Sequence, residues 1–149
     1  MSQESIGWGG NVMLSRQFQP CPGSPNCVSS LSKGSRHFIQ PIHFTGTPES
    51  ALDCLTAILG EERRVRIVVQ EKGYLHAEFR TWLGFVDDEE FLVDSEKGLV
   101  HMRSASRFGY WDLGVNRRRL EHLRARFLDN CSKNGMVPFG GHRGEDSLK

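Results

Sequence analysis

The stretch RVRIVVQEKGYLHAEFRTW, residues 64–82, decides the fold class because it predicts a β-hairpin. Polar and apolar residues alternate on both sides of residues 71–73 (EKG), which is typical of two half-buried strands joined by a short loop. With 71–73 as a three-residue loop, Gln70 pairs with Tyr74, and the apolar residues of the two strands then oppose each other on one face. We therefore predict a sheet with one face in the core and one charged face.

A second hairpin and two helices complete the predicted fold. Segments 85–94 and 99–107 alternate in the same way around a four-residue turn. Residues 47–60 begin with a capping threonine followed by proline and end in glycine, which predicts a helix. A second amphipathic helix is predicted over 116–131, and an extended segment over 37–44. The prediction is an α+β fold, an antiparallel four-stranded sheet with two helices packed on one face in β-α-β-β-β-β-α order.

The composition is that of a soluble globular domain. The chain has 149 residues, of which 38% are hydrophobic and 25% are charged, and it has no apolar run long enough to span a membrane. Nineteen Lys and Arg against eighteen Asp and Glu give a net charge of +1, which argues against nucleic acid as a partner. We expect a flexible N-terminal tail over 1–19, one domain over 20–137 and a flexible C-terminal tail over 138–149.

The cysteines leave the redox state open. Cys21 and Cys27 bracket a turn-forming segment, which allows a disulfide, with a free thiol pair as the alternative. Cys54 and Cys131 fall in helical patterns and are predicted as buried thiols. Zinc is disfavoured because a second ligand pair is missing, so no metal and no cofactor is predicted. The start of the chain lacks the pattern of a signal peptide, which predicts a cytoplasmic location.

The predicted registers gather charged side chains on the face opposite the core. In the second hairpin Glu90 falls opposite Arg103, and Asp88 lies diagonal to Arg103 and Arg107. Such a set forms either a solvated group of ion pairs or a binding site. Arginine suits a bound carboxylate or phosphate because its planar fork makes two parallel bonds. The candidate ligand-binding residues are Tyr74, Glu78, Asp87, Asp88, Glu90, Arg103, Ser104, Ser106, Arg107, Asn116 and Arg117.

Three consecutive arginines, residues 117–119, follow Asn116 at the predicted start of the second helix. Cations in a first turn oppose the helix dipole. Either the helix starts at Asp112, whose carboxylate relieves this conflict, or the arginines have another purpose. They could pair with Asp87 and Asp88, or hold an anion against the exposed helix amides.

Four motifs carry a resemblance to a known family. They are CPGSPNCVSS at 21–30, YLHAEF at 74–79, FVDDEEF at 85–91 and RSASRFGYWDLGVNRRRLE at 103–121. Together, and in this order, they resemble the domain of unknown function 1499 family, which consists of uncharacterised bacterial and plastid proteins. The resemblance implies that the polar residues of these motifs are common to the family and that many relatives are exported or plastid-located. It implies no activity.

Three functions stay open from the sequence. The first is binding of an anionic small molecule, a lipid headgroup or an acidic partner through the Arg/Asp cluster. The second is a hydrolase or isomerase that uses Asp87, Asp88 and Glu90 as acid–base groups, since clustered carboxylates can have separated pKa values. The third is a protein-interaction module without a known partner. Because the serines lack a nucleophile elbow and the histidines lack metal spacing, no catalytic residue is assigned.

Overall fold

The computed structural model describes residues 16–132, which form a six-stranded sheet with two helices on one face. The strands lie in the order β1-β6-β5-β4-β3, and the short β2 pairs with the same edge of β6 as β1 does. All of these pairings are antiparallel. The elements are β1 (Cys27–Ser29), β2 (Ile42–His43), α1 (Pro48–Gly60), β3 (Val65–Glu71), β4 (Tyr74–Arg80), β5 (Val86–Asp94), β6 (Leu99–Ser106) and α2 (Val115–Phe127), followed by a π-helical turn (Leu128–Ser132).

The predicted α+β class with two helices is confirmed, whereas the count of four strands and the element order were wrong. The extended segment 37–44 supplies only the two residues of β2, and β1 was not predicted. Three residues after a turn-forming segment are too few to show an alternation, so periodicity could not identify β1. Its pairing runs from Cys27 opposite Ala105 to Ser29 opposite Arg103, and it covers the edge of the second hairpin.

The registers of the two hairpins decide which side chains share a face. Strands β5 and β6 pair in the predicted register along their length. In the first hairpin a β-bulge between Ile67 and Val69 shifts the pairing, so that Glu71 rather than Gln70 is opposite Tyr74 and the loop has two residues. The extra residue turns Val69 away from the helices, onto the side we call the open face.

The core lies between the other face of the sheet and the two helices. As predicted, Thr47 caps α1, its Oγ1 accepting from the backbone N–H of Ser50 at 3.0 Å. Helix α2 begins at Val115, one residue earlier than expected, and ends at Phe127. The completely buried apolar residues of the two helices are Ala51, Leu55, Ile58, Leu120, Leu123 and Phe127.

Two disulfides are present, one that closes a short loop and one between segments distant in the sequence. Cys21 and Cys27 are bonded with an S–S distance of 2.05 Å. Cys54 of α1 is bonded to Cys131, with the two Cα atoms 6.4 Å apart, although the sequence predicted separate thiols. Helical periodicity shows that both cysteines face inward but not that they face each other.

Replacing Cys21 and Cys27 together by serine should lower the free energy of unfolding by roughly 2 kcal/mol, because a disulfide that closes a short loop restricts the unfolded chain. Urea denaturation of C21S/C27S and of the native chain, both without reductant, measures the difference. Alkylation of the native protein followed by mass spectrometry should leave both cysteines unmodified. Labelling of either one without prior reduction would contradict the bond.

Much of the two predicted tails lies outside the described residues, and the boundaries of the 20–137 domain stay a prediction. Residues 16–19 are described and contact the open face. Arg16 forms an ion pair with Glu71 at 2.9 Å, and the backbone carbonyl of Gln19 accepts from Arg103 at 2.7 Å. Among residues 16–132 no helix combines the length and the apolar character needed to cross a bilayer.

Candidate functional site

The consecutive acids of β5 divide between the two faces of the sheet. Asp88 and Glu90 lie on the open face, whereas Asp87 and Glu89 lie on the helix side, because successive strand residues point to opposite faces. The predicted acid–base group of Asp87, Asp88 and Glu90 is therefore not brought together. In the described part of the chain, no group of three or more His, Cys, Asp or Glu side chains is arranged to hold a metal ion.

On the open face, Glu90 and Arg103 form hydrogen bonds with each other and with neighbouring residues. Tyr74 Oη donates to Glu90 Oε1 at 2.7 Å, and Arg103 Nη1 donates to Glu90 Oε2 at 3.2 Å. The Nε of Arg103 donates to the Gln19 carbonyl. Burial and the bond to the Glu90 carboxylate raise the pKa of Tyr74. Both oxygens of this carboxylate are thus occupied within the structure.

A second set of bonds on the same face joins Arg107 to two carboxylates. Its Nε and Nη2 donate to the two oxygens of Asp88 at 2.8 and 2.9 Å, and Nη2 also donates to Glu78 at 2.5 Å. His76 Nε2 lies 2.8 Å from Asp88 Oδ1. Burial raises the pKa of Asp88, but the hydrogen bonds from His76 and Arg107 have the larger combined effect. They hold the pKa of Asp88 well below its ordinary value. We call the residues of these two sets together the open-face ladder: Tyr74, His76, Glu78, Asp88, Glu90, Arg103 and Arg107.

A cleft opens at the end of the sheet, between the β4–β5 loop (residues 81–85) and the β6–α2 loop (residues 107–114). Its volume is about 190 Å³. Three aromatic residues make up most of its apolar lining, and two aspartates and two hydroxyl residues make up its polar lining. The residues lining this loop-end cleft are Thr81, Phe85, Asp87, Ser106, Phe108, Gly109, Trp111, Asp112 and Val115.

Behind the cleft lies a buried polar cluster, formed by Asp87, Glu89, Ser104, Asn116 and Arg119. Arg119 Nη1 contacts Asp87 Oδ2 at 3.0 Å and Glu89 Oε2 at 2.8 Å. Ser104 Oγ donates to the same oxygen of Glu89 at 2.7 Å. Glu89 has 0% of its surface exposed, and its Oε1 has no hydrogen-bond partner among the described residues.

Burial raises the pKa of Glu89 to about 7, although the charge of Arg119 and the Ser104 hydrogen bond act in the opposite direction. Asp87 and Glu89 share a single guanidinium, so one negative charge is in excess when both are ionised. A proton on Glu89 removes that excess. Functional sites often contain a carboxyl group with a strongly shifted pKa beside a cleft. Glu89 therefore makes this end of the sheet a candidate site.

Asn116 joins the cluster to the cleft. Its Nδ2 donates to Asp112 Oδ2 at 2.7 Å and to Ser106 Oγ at 2.8 Å, with the Asn26 carbonyl 3.2 Å away, and its Oδ1 lies in contact with Ser104 Oγ. Asp112 also accepts from the backbone N–H of Asn116 at 3.0 Å. Asp112 therefore supplies the acceptor at the start of α2, and Asn116 is a buried connector rather than the cap.

The three arginines 117–119 have separate partners. Arg117 donates to two backbone carbonyls of the 36–38 segment, and Arg118 donates to the Leu113 carbonyl at 2.8 Å. Arg119 reaches the carboxylates of the buried cluster. Of the two purposes expected for them, pairing with an acid of β5 is the one the geometry shows, through Arg119 and Asp87.

Glu89 was not considered as a site residue from the sequence, and Arg119 was considered only as one of three arginines that could pair with acids of β5 or hold an anion. A signal for Glu89 was available, since it lies in phase with Phe91 and Val93, which occupy core positions of β5. A carboxylate at a core position requires a buried partner. Arg119 precedes Leu120 on the buried side of α2, but only the packing of that helix against β5 identifies it as the partner.

A family model described as Protein of unknown function (DUF1499) matches residues 17–127. The chain belongs to the DUF1499 family. The resemblance found in its four motifs is thus confirmed, and the match includes the loop-end cleft and the open-face ladder of this DUF1499 protein. No curated protein and no solved structure matched the chain.

Proposed function

We propose that the protein is a binding domain and that its ligand occupies the loop-end cleft. The observation that carries the proposal is the composition of the cleft, which is lined by Phe85, Phe108 and Trp111 together with Asp87 and Asp112. Small-molecule sites usually combine an apolar wall with a few convergent polar groups. Both carboxylates are already held in place by partners in the fold, which reduces the ordering needed when a ligand binds.

The chemistry of the lining selects a compact apolar ligand with a hydrogen-bond donor, such as a primary ammonium group. An ionised carboxylate only accepts hydrogen bonds, so Asp87 and Asp112 favour a donor and repel an anion. Aromatic faces also attract cations. A volume of about 190 Å³ accommodates a group of the size of one aromatic ring or a short aliphatic chain.

The sequence-based hypothesis of an anionic small molecule, lipid headgroup or acidic partner at the Arg/Asp cluster is a second candidate. The exposure of Arg107, whose side chain is 43% accessible, favours it. An incoming anion would compete with the carboxylates that already occupy the forks of Arg103 and Arg107. For this reason we place it second, and acid–base catalysis by the divided β5 carboxylates below both.

Calorimetric titration of the full chain with benzylamine and with benzoate tests the cleft. We expect benzylamine to bind and benzoate, which has the opposite charge on the same ring, to bind at least about tenfold more weakly. Phe108→Ala should weaken benzylamine binding because it removes part of the aromatic wall. Asp112→Asn keeps an acceptor for the start of α2 but removes the negative charge. It should therefore reduce the ratio between the affinity for benzylamine and the affinity for benzoate.

Arg66→Ala, on the open face, is the matched control and should bind benzylamine like the native chain. Three results would overturn the proposal: no heat of binding with benzylamine, equal or tighter binding of benzoate, or unchanged benzylamine binding by Phe108→Ala. Tight benzoate binding that is lost in Arg107→Ala would instead support the second candidate.

A further inference from the structure

The exposed large apolar side chains are unevenly distributed over the described part of the chain. Of the nine that are exposed among residues 16–132, seven lie in or beside the two loops that border the cleft. Trp82 and Leu113 are 78% and 80% exposed. A concentration of this kind marks an interaction surface, whereas single exposed apolar residues do not. We call the seven residues the apolar crown: Trp82, Leu83, Phe85, Phe108, Tyr110, Trp111 and Leu113.

The backbone of both loops is fixed, so the crown is held outward rather than folded over the core. In the first loop the backbone N–H groups of Thr81 and Gly84 donate to Phe85 O and Thr81 O at 2.7 and 2.9 Å. In the second loop Asn26 Nδ2 donates to the Gly109 carbonyl at 2.6 Å. The exposure of the crown is therefore a property of the folded chain.

Arginines flank both loops. Arg64, Arg66 and Arg80 line a depression of about 280 Å³ together with Val65, Glu78 and Val86, at the base of the first loop. Arg66 pairs with Glu78, but within residues 16–132 neither Arg64 nor Arg80 has a carboxylate partner. Arg80 Nη1 donates to the Gly84 carbonyl at 3.2 Å, so this charge is tied to the loop itself.

The second loop has an exposed arginine at its border. Arg118, at its far end, is exposed and donates to the Leu113 carbonyl at 2.8 Å. Asp112 is the acidic residue of this loop, and both its oxygens accept hydrogen bonds at the start of α2. Each loop of the crown is therefore flanked by at least one arginine that has no carboxylate partner within residues 16–132.

We propose that the apolar crown docks on an anionic membrane surface. Tryptophan and tyrosine combine an apolar body with a polar tip and are enriched at the level of the lipid headgroups. Basic residues beside them are attracted to the negative charge of anionic lipids. The unpaired arginines at both borders complement a surface that is uniformly negative, which distinguishes a bilayer from a protein partner or a second copy of this chain. The proposal does not depend on a ligand in the cleft.

The tryptophans of the chain provide a direct readout. Trp8, Trp82 and Trp111 are its three tryptophans, so the full-length Trp8→Phe variant reports on the crown alone. Vesicles of phosphatidylcholine mixed with phosphatidylglycerol should shift its emission to shorter wavelength, and vesicles of phosphatidylcholine alone should have a much smaller effect. Added salt should weaken the binding, since part of the attraction is electrostatic.

Co-sedimentation with the same vesicles compares the variants. W82A/W111A should bind the anionic vesicles about tenfold more weakly than the native chain, because it removes two aromatic residues from the interface. R64A/R80A should reduce anionic binding to the level seen with phosphatidylcholine alone. Leu31→Ala, which removes an exposed apolar side chain outside the crown, is the matched control and should bind like the native chain.

Circular dichroism melting curves establish that each variant is folded. The proposal is overturned if the anionic vesicles cause no emission shift, if both vesicle types bind equally, or if folded W82A/W111A binds like the native chain. It is also overturned if light scattering finds a dimer that W82A/W111A converts to a monomer without any vesicle binding, since the crown would then cover a second copy.

Discussion

Replacing Arg119 by methionine should lower the free energy of unfolding by about 3 to 5 kcal/mol near neutral or alkaline pH, because two buried carboxylates then lose their shared cation. The side chain of Arg119 contacts Asp87 and Glu89 at 3.0 and 2.8 Å. Its guanidinium also lies over the Phe79 ring, 4.6 Å from the centroid. Methionine keeps an unbranched side chain at this position and removes the charge, its hydrogen bonds and the cation–π contact.

Urea denaturation of Arg119→Met measures this loss, and Arg118→Met is the control. Arg118 belongs to the same turn of α2, but its side chain is exposed and bonds only the Leu113 carbonyl, so we expect a loss of about 1 kcal/mol or less. The loss of unfolding free energy in Arg119→Met should be smaller at acidic pH, because the carboxylates of Asp87 and Glu89 can then take up protons. Equal losses in the two variants at alkaline pH would mean that the buried cluster does not depend on this ion pair.

Replacing Glu89 by glutamine should change how stability depends on pH. Burial raises the pKa of Glu89 in the folded chain to about 7 from an ordinary value of 4.5. Between these values the folded state holds a proton that the unfolded state releases, so rising pH favours unfolding. Compared with a protein whose residue 89 does not titrate, the free energy of unfolding of the native chain should fall by roughly 3 kcal/mol as the pH rises between these two pKa values. Above the higher value it should become constant.

Glutamine cannot ionise, so the difference in stability between Glu89→Gln and the native chain should grow in favour of the variant as pH rises through that window. Burial lowers the pKa of His101, which also affects stability near this range, but it contributes equally to both proteins and cancels in the difference. Glu96→Gln, at an exposed turn, controls for the loss of one carboxylate. A difference that stays constant with pH would show that Glu89 does not titrate there.

Local patterns predicted the parts of the fold in which neighbours along the chain decide the structure. Alternation set the register of β5 and β6, and the Thr47 cap set the start of α1. The bulge between Ile67 and Val69 was not predicted, because it moves an apolar residue to the open face against the alternation. The strand β1 is held by its pairing with β6, a contact between distant segments that no local pattern contains.

The same distinction applies to the candidate site. Asp87, Ser106 and Asn116 were candidates from the sequence, and their meeting behind the cleft depends on how α2 packs against β5 and β6. Trp82 continues the alternation of the first hairpin in the sequence, yet β4 ends at Arg80 and leaves this tryptophan in the loop, exposed with Trp111. Residue type identified the groups that carry chemistry, and tertiary packing decided which of them act together.

The claim on which the functional interpretation rests is that the ligand site lies at the loop end of the sheet and not on the open face. Mapping of backbone amide chemical shifts in the isotopically labelled full chain, titrated with benzylamine, tests it most directly. We expect the largest changes in residues 81–87 and 106–115, with His76, Glu90 and Arg103 unaffected. Changes centred on those three ladder residues, or none in either loop at saturation, would contradict the claim.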